Sequence, residues 1–385
     1  MTQVKIYHLN LIDYNWKNRI LQAITNSSWN LKKDTEKGGG GANILSLICQ
    51  WGAWMKKTVE LSFYRSFSFF GFARYDRTKY VIPTFKLRDT TPGYPYISGD
   101  LFRAFSDHIV DATGVPFYPQ RVKEGNIVFV KTKYLRRFIK YMHPLVKNRY
   151  ILITHNGDEE APGDYARLLE DDKIIAWGGM NATLAHPKLI PLPLGGANPG
   201  KDTFFEKLIE EMQQNPLPKK RLLYMNIGIT THPDRPALKS YFATQPFCTV
   251  QDPRPPVEYL QELMRSKFTI SPRGNGIDCC RVWESLLLGT IPVLKTTALD
   301  HLYQDLPVVI VDDWKEVTQE FLEKKYDEMA KKDYNFDKCY ADYWLKLFEP
   351  YTKISERCSR LKKTSRVETL PKTMNNLRSL FWPLN

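Results

Sequence analysis

Three charged side chains stand out by type and spacing: Arg273 in a turn, and Arg281 and Glu284 three residues apart shortly after it. A guanidinium presents a fork of donors that matches diphosphate oxygens, and a carboxylate accepts from paired sugar hydroxyls. Gly274, Asn275 and Gly276 follow Arg273, and the glycines let a ligand approach the backbone closely. Asp278 stands where a helix N-cap is expected. Part of this pattern has an ordinary explanation. Any turn needs such residues, and Arg281 and Glu284 could pair on a solvated helix face. Two arginines, a glutamate and a double-glycine turn in one register exceed what capping requires.

The elements around these residues would position them. Residues 267–270 are β-branched and aromatic, as in a buried strand, and 271–276 (SPRGNG) suit neither helix nor strand interior. Val282, Leu286 and Leu287 fall on one face of a helix that Gly289 ends, and 291–294 (IPVL) reads as the next strand. Strand, turn, helix and strand form a βαβ unit whose turn lies at a sheet's carboxyl edge. Open α/β folds bind ligands there, and the helix start offers free N–H groups to a phosphate.

The stretch SPRGNGIDCCRVWESLLLGTIPVL resembles the nucleotide-sugar motif of exostosin-like glycosyltransferases, glycosyltransferase family 47 in the broad sense. In that family a C-P or S-P-R-G turn, an arginine on the next helix, a glutamate three residues later and a G-x-I-P-V strand recur together. The resemblance is strong over 266–313, including LDHLYQDLPVVIVDDW, and elsewhere rests on element order. It implies a GT-B fold: α/β, with two facing Rossmann-like doubly wound domains and the donor held by the C-terminal one. Carried over by position, Glu284 would hold the donor ribose hydroxyls, and Arg273 and Arg281 would face the diphosphate of a UDP-sugar. The paired Cys279 and Cys280 depart from the family pattern, which has one cysteine there.

A length of 385 residues suggests two domains, and 43% hydrophobic residues suffice for ordinary cores. The +13 net charge favours polyanions, anionic lipid surfaces or phosphorylated ligands. No zinc-finger spacing or RNP-like motif supports nucleic acid as the partner. The basic clusters at 131–140 and 357–366 read as solvated faces, with peripheral contact to an anionic membrane as an option. No C-x-x-C pair occurs among the six cysteines, so reduced thiols are expected, with a Cys339–Cys358 bridge as the alternative. The sequons at Asn26 and Asn181 carry little weight. No run reaches the length of a membrane span, and the N-terminus lacks signal-peptide character. A full-length chain would then be cytoplasmic, and a fragment of an anchored enzyme would be Golgi lumenal.

Strand and helix patterns alternate along the chain, as in a parallel, doubly wound sheet. Strands are expected at 126–131, 149–154, 173–177 and 188–192, then at 221–226 and 307–311. Residues 98–111 read as one amphipathic helix with Leu101, Phe105, His108 and Ile109 on a face. Further helices are expected at 134–142, 203–213, 237–244, 257–265, 317–332 and 341–351. A strand-like VKIYHLN, a glycine link at 38–41, an apolar helix at 42–55 and an aromatic stretch at 58–80 complete the N-terminal part. The resulting division is an N-terminal acceptor domain over 1–200, a linker over 201–219 and a nucleotide-sugar domain over 220–330. Helices and a basic tail over 331–385 would cross back to the first domain.

Glycosyl transfer needs positive charge for the leaving diphosphate, acceptors for sugar hydroxyls, and a base for the attacking hydroxyl. The loop 226–235 belongs to the same sheet edge as the motif, so His232 and Arg235 join the candidate phosphate contacts. A base should come from the first domain. His155 and Asp158 follow the strand RYILIT, in a polar loop at a carboxyl edge, and are the candidates. No D-x-D triplet occurs, so no metal and no cofactor is expected. The expected partners are a nucleotide-sugar donor and a glycan or other hydroxyl acceptor. A non-catalytic nucleotide- or glycan-binding module and a polyanion-binding protein are the rival readings.

Overall fold

The structure is a computed structural model that describes residues 93–113, 115–197, 204–364 and 377–383. Every described residue belongs to one compact unit, Tyr75–Asn385. The strand-like VKIYHLN, the glycine link, the 42–55 and 58–80 segments, Cys49 and the Asn26 sequon lie outside the described residues.

Five parallel strands form a first sheet: β1 (His108–Val110), β2 (Asn126–Lys131), β3 (Tyr150–His155), β4 (Ile174–Met180) and β5 (Leu189–Leu192). They lie in the spatial order β1-β2-β3-β4-β5. NIVFVK and YILITH read as near-continuous apolar runs because both faces of these strands are covered. Alternate residues serve different cores. Ile127, Phe129, Ile151 and Ile153 pack in a core shared with the second sheet, while Val128, Val130, Tyr150, Leu152 and Trp177 form a separate one on the opposite face. Each large apolar side chain buried there stabilises the fold by roughly 1.5–3 kcal/mol.

The helix expected over 98–111 is shorter. Ser98 caps α1 (Gly99–Phe105), accepting from the Leu101 amide at 3.1 Å. The chain then turns extended at Ser106, and Asp107 donates its amide to Ile127 O at 2.9 Å. That bond draws the β-branched Ile109 and Val110 into the ladder beside β2, so tertiary pairing overrides the helical period. His108 consequently sits on a strand, with Nε2 at 3.0 Å from Asn126 Oδ1.

The second sheet is also wholly parallel. It comprises β6 (Arg221–Asn226), β7 (Cys248–Gln251), β8 (Ser266–Ile270), β9 (Ile291–Lys295) and β10 (Val309–Val311), in the order β10-β9-β8-β6-β7. The sequence pattern did not point to β7, a half-buried edge strand of four residues with two polar side chains. In the first half α2 (Leu135–Tyr141) connects β2 to β3, and between the two sheets in chain order α3 (Phe204–Gln214) occupies much of the segment read as a linker. The helices α4 (Arg235–Ala243), α5 (Pro256–Met264) and α6 (Cys280–Leu287) connect strands of the second sheet. In the order of chain progress, β6 to β7 runs one way across the sheet and β8 to β10 the other. The reversal makes a crevice between β6 and β8 at their carboxyl ends.

Past α7 (Gln319–Ala330) the chain returns to the first sheet. Tyr340 bridges Tyr96, the Ala341 amide donates to Pro95 O at 2.9 Å, and Phe348 packs on Phe105 with ring centroids 5.8 Å apart. The expected helix over 341–351 is confined to α8 (Ala341–Lys346). In α9 (Ser355–Thr364), Arg357 forks onto Asp107 with N–O distances of 3.2 and 2.6 Å. A short α10 (Leu377–Phe381) closes the described chain. Cys339 and Cys358 are free thiols, as are Cys248, Cys279 and Cys280. Among the described residues no helix is long and apolar enough to cross a membrane.

Candidate functional site

Three arginines lie on the loops and helix start that line the β6–β8 crevice. Arg235 opens α4, Arg273 lies in the loop after β8, and Arg281 lies in the first turn of α6. Buried Arg235 donates through Nε to Arg273 O at 2.8 Å, through Nη1 to Gly228 O at 3.0 Å and through Nη2 to Pro272 O at 2.9 Å. It therefore braces the two loops, and a methyl at Gly274 would sit 3.3 Å from its Nη2. Burial and the charge of Arg281 lower its pKa. Arg281 spans the crevice, donating Nη2 to Asn226 O at 2.6 Å. Arg273 reaches Asn275 O at 3.3 Å.

None of the three makes an ion pair with a carboxylate among the described residues. Buried charge without a partner is costly, and buried polar atoms are normally satisfied. Here four are not: Arg273 Nε, Arg281 Nε, Thr231 Oγ1 and Ser271 Oγ have no hydrogen-bond partner. All belong to the two loops or the helix start that line the crevice. A polyanion with several acceptor oxygens would satisfy donors of this kind.

Glu284, one turn along α6, is buried and accepts from Tyr259 OH at 3.0 Å. Burial pushes its carboxyl up, against the Arg281 charge and the Tyr259 bond, which hold it down. Burial likewise raises the Tyr259 phenol far above its ordinary range, so Tyr259 stays a neutral donor. Glu284 thus offers a carboxylate acceptor beside the guanidinium cluster.

Asp278 occupies a different place from the one its sequence position suggested. The helix N-cap is Cys279, and the Asp278 carboxylate is spent on four donors. It accepts from Leu194 N at 2.7 Å, Trp283 Nε1 at 2.8 Å, Tyr303 OH at 2.9 Å and Cys279 N at 2.8 Å. Leu194 follows β5 of the first sheet, so this carboxylate joins the halves and has no oxygen turned to the crevice for a ligand. Asn181, just after β4, makes a second tie: Oδ1 accepts from Asp278 N at 2.9 Å and Nδ2 donates to Asp158 O at 3.1 Å. Its side chain is buried and occupied at both ends, which removes it as a glycosylation acceptor in the folded chain. Gly276 is required there, because a methyl would lie 2.9 Å from Asn181 Nδ2. The carboxyl edges of the two sheets therefore face each other.

The two base candidates separate clearly. His155 ends β3 with no exposed surface, packed on Phe102. Nε2 lies 3.0 Å from Pro193 O, to which it donates, and Nδ1 accepts from Asn156 N at 2.8 Å. Burial drives its pKa down to about 4. A ring with its lone pair already engaged and no access cannot take a proton from an acceptor, so the structure corrects that assignment. Asp158 is exposed, in the loop whose backbone touches Asn181 beside the Gly276 turn. His232 is half-buried in the β6–α4 loop, with Nδ1 accepting from Asp234 N at 3.3 Å. Among the described residues no group of three or more His, Cys, Asp or Glu gathers as a metal site.

Thr231, Ser271 and Tyr259 were not singled out by sequence. Thr231 and Ser271 carried a weak signal, as hydroxyls in loops at the expected edge. Tyr259 carried none, because only packing of α5 on α6 brings it to Glu284.

No family model matches the chain, and no curated protein sequence does. Among solved structures it is similar to an α1,3-fucosyltransferase with GDP-fucose, at 13% identity over 66% of this chain and 81% of that one, with a TM-score of 0.33. It is also similar to the UDP-GlcNAc 2-epimerase of Methanocaldococcus jannaschii, at 11% identity over 62% of this chain and 77% of that one, TM-score 0.29. A complex of that epimerase with UDP-GlcNAc and UDP gives 11%, 62%, 76% and 0.30. Likenesses this distant carry no argument about function. The class rests on the chain's own topology: α/β, with two parallel Rossmann-like sheets facing each other in the GT-B manner.

Proposed function

We propose that this protein is a glycosyltransferase that takes a sugar from a nucleotide-diphospho-sugar, a UDP-sugar by its exostosin-like motif, and passes it to a glycan or other hydroxyl acceptor. One observation carries the reading. Arg235, Arg273 and Arg281 line the topological switch point with no carboxylate among the described residues within ion-pair distance, and four buried polar atoms there lack hydrogen bonds. In this reading Arg273, Arg281, Thr231, Ser271 and the backbone of Gly274, Asn275 and Gly276 hold the diphosphate and stabilise it as it leaves. Arg235 shapes that turn from behind, Glu284 accepts from the ribose hydroxyls, and His232 flanks the phosphate loop. The positive charge comes from guanidiniums, so no metal is needed in the transfer step. Asp158, in the first-sheet loop whose backbone adjoins the Gly276 turn, takes the proton of the acceptor hydroxyl as that oxygen attacks the sugar.

The test is release of free nucleotide from a panel of UDP- and GDP-sugars, with and without chelator, alongside titration of inorganic pyrophosphate. Arg281→Ala should weaken pyrophosphate binding by about 10- to 100-fold, the scale of one charge-assisted contact. Equal affinity in that variant, or release that requires a divalent metal, would overturn the assignment.

A further inference from the structure

The guanidinium cluster and Asp158 belong to different sheets, so whatever fixes one against the other sets the geometry of transfer. Very few contacts can do this at the site itself. The Asn181 carboxamide is one: it touches the Asp158 carbonyl with Nδ2 and the Asp278 amide with Oδ1, and it is 1% exposed. Its backbone is left-handed, with φ of 51°, a conformation asparagine tolerates better than most residues. The Asp278 amide it receives sits between the Gly276 turn and the start of α6. The Asp278 carboxylate then continues the chain of bonds to Leu194 N at 2.7 Å. Asp158, Asn181, Asp278 and Leu194 thus form a continuous polar joint, buried at Asn181 and Asp278. On the first-sheet side, the Ala161 amide donates to Asn181 O at 3.1 Å, and the Thr183 amide to Ala161 O at 3.1 Å. The Asp158 loop is therefore tied by backbone to its own sheet and by one side chain to the other.

We propose that Asn181 is a positioning residue, whose carboxamide sets the Asp158 loop in register with the diphosphate turn and thereby fixes base and leaving group relative to each other. This rests on the function proposed above. It goes beyond it in assigning the closed arrangement of the site to one side chain that touches neither sugar nor phosphate. A polar bridge suits the task because its bonds are directional. An apolar contact would let the loops slide, and a displacement of about 1 Å in reacting groups costs up to 100-fold in rate.

Two variants test it. Asn181→Gly keeps the left-handed backbone and deletes both bonds. Asn181→Asp retains the acceptor for the Asp278 amide and loses the donor to Asp158. Hydrogen exchange should show the Leu194 amide, two hydrogen bonds along the joint from Asn181, exchanging at least about tenfold faster in Asn181→Gly, with the strands of both sheets still protected. In Asn181→Asp that amide should stay protected. Nucleotide release should fall about tenfold or more in both, through kcat, while pyrophosphate affinity stays within about twofold. Unchanged Leu194 exchange in Asn181→Gly would overturn the proposal, as would a loss seen equally in pyrophosphate affinity. If the unaltered protein releases no nucleotide from any donor, the functional reading fails, and the exchange experiment still decides whether Asn181 sets the register.

Discussion

The two sheets use the same materials differently. In the described first sheet the strands follow one another in order, so each crossover moves the same way across the sheet and no crevice opens between neighbours. In the second, progress reverses between β6 and β8, and the loops after those strands diverge around a gap. Their buried polar groups differ to match. The first sheet's edge holds neutral, satisfied groups: His155 with both nitrogens bonded and Asn181 with both amide ends used. The second sheet's edge holds guanidiniums outside ion-pair distance of any carboxylate among the described residues, and buried polar atoms without partners. Satisfied polar groups build rigid scaffolding, whereas unsatisfied charge costs stability and persists where a ligand repays it. In the proposed function the first sheet is the fixed wall and the second the binding half.

This contrast can be attacked from its strongest point downward. The first sheet's wall needs one chemically active group, and Asp158→Asn should reduce turnover by about 100- to 10,000-fold, the range for loss of a general base, with pyrophosphate affinity unchanged. A variant with full turnover would leave the first sheet without a chemical part. Next, the neutral character of the wall should appear in the pH dependence of stability. The unfolded chain protonates a histidine near pH 6.5, but folded His155 resists protonation down to about 4. Its contribution is present above pH 6.5 and lost as pH falls towards 4, a decline of about 3 kcal/mol. Chemical denaturation of His155→Gln across pH 4–7 should show that segment of slope missing. An unaltered slope would mean that His155 is charged in the fold. The smallest effect belongs to the amino edge of the first sheet. Arg149 and Glu124 pair at 2.7 Å with side chains 65% and 54% exposed, so Arg149→Ala should change stability by less than about 1 kcal/mol and leave pyrophosphate affinity untouched.

Much of the second sheet was legible because local and tertiary demands agree there. The strand 221–226 coincides with β6, and the motif strands and the helix carrying Arg281 and Glu284 fall within a residue or two of their expected ends. The misreadings arose where a local pattern was outbid. Residues 98–105 do have helical periodicity, yet the ladder with β2 captures 108–110. The short, partly polar β7 has no strong period of its own and exists because it can pair with β6. His155 and Asp158 looked equivalent in sequence, three residues apart in one polar loop. Accessibility divided them, and burial of one residue depends on what other segments place over it, here α1 through Phe102 and the β5 loop through Pro193.

By itself the sequence determined the α/β class, the βαβ unit at 267–294 and the charges it presents, because periodicity, turn residues and spacing act within a few residues of one another. Tertiary structure alone decided which charges stay unpaired, which histidine is sealed and how the two sheets meet. Pairing, sealing and meeting depend on residues brought together from distant parts of the chain. Asn181 and Asp278 stand 97 residues apart in sequence and share a hydrogen bond of 2.9 Å.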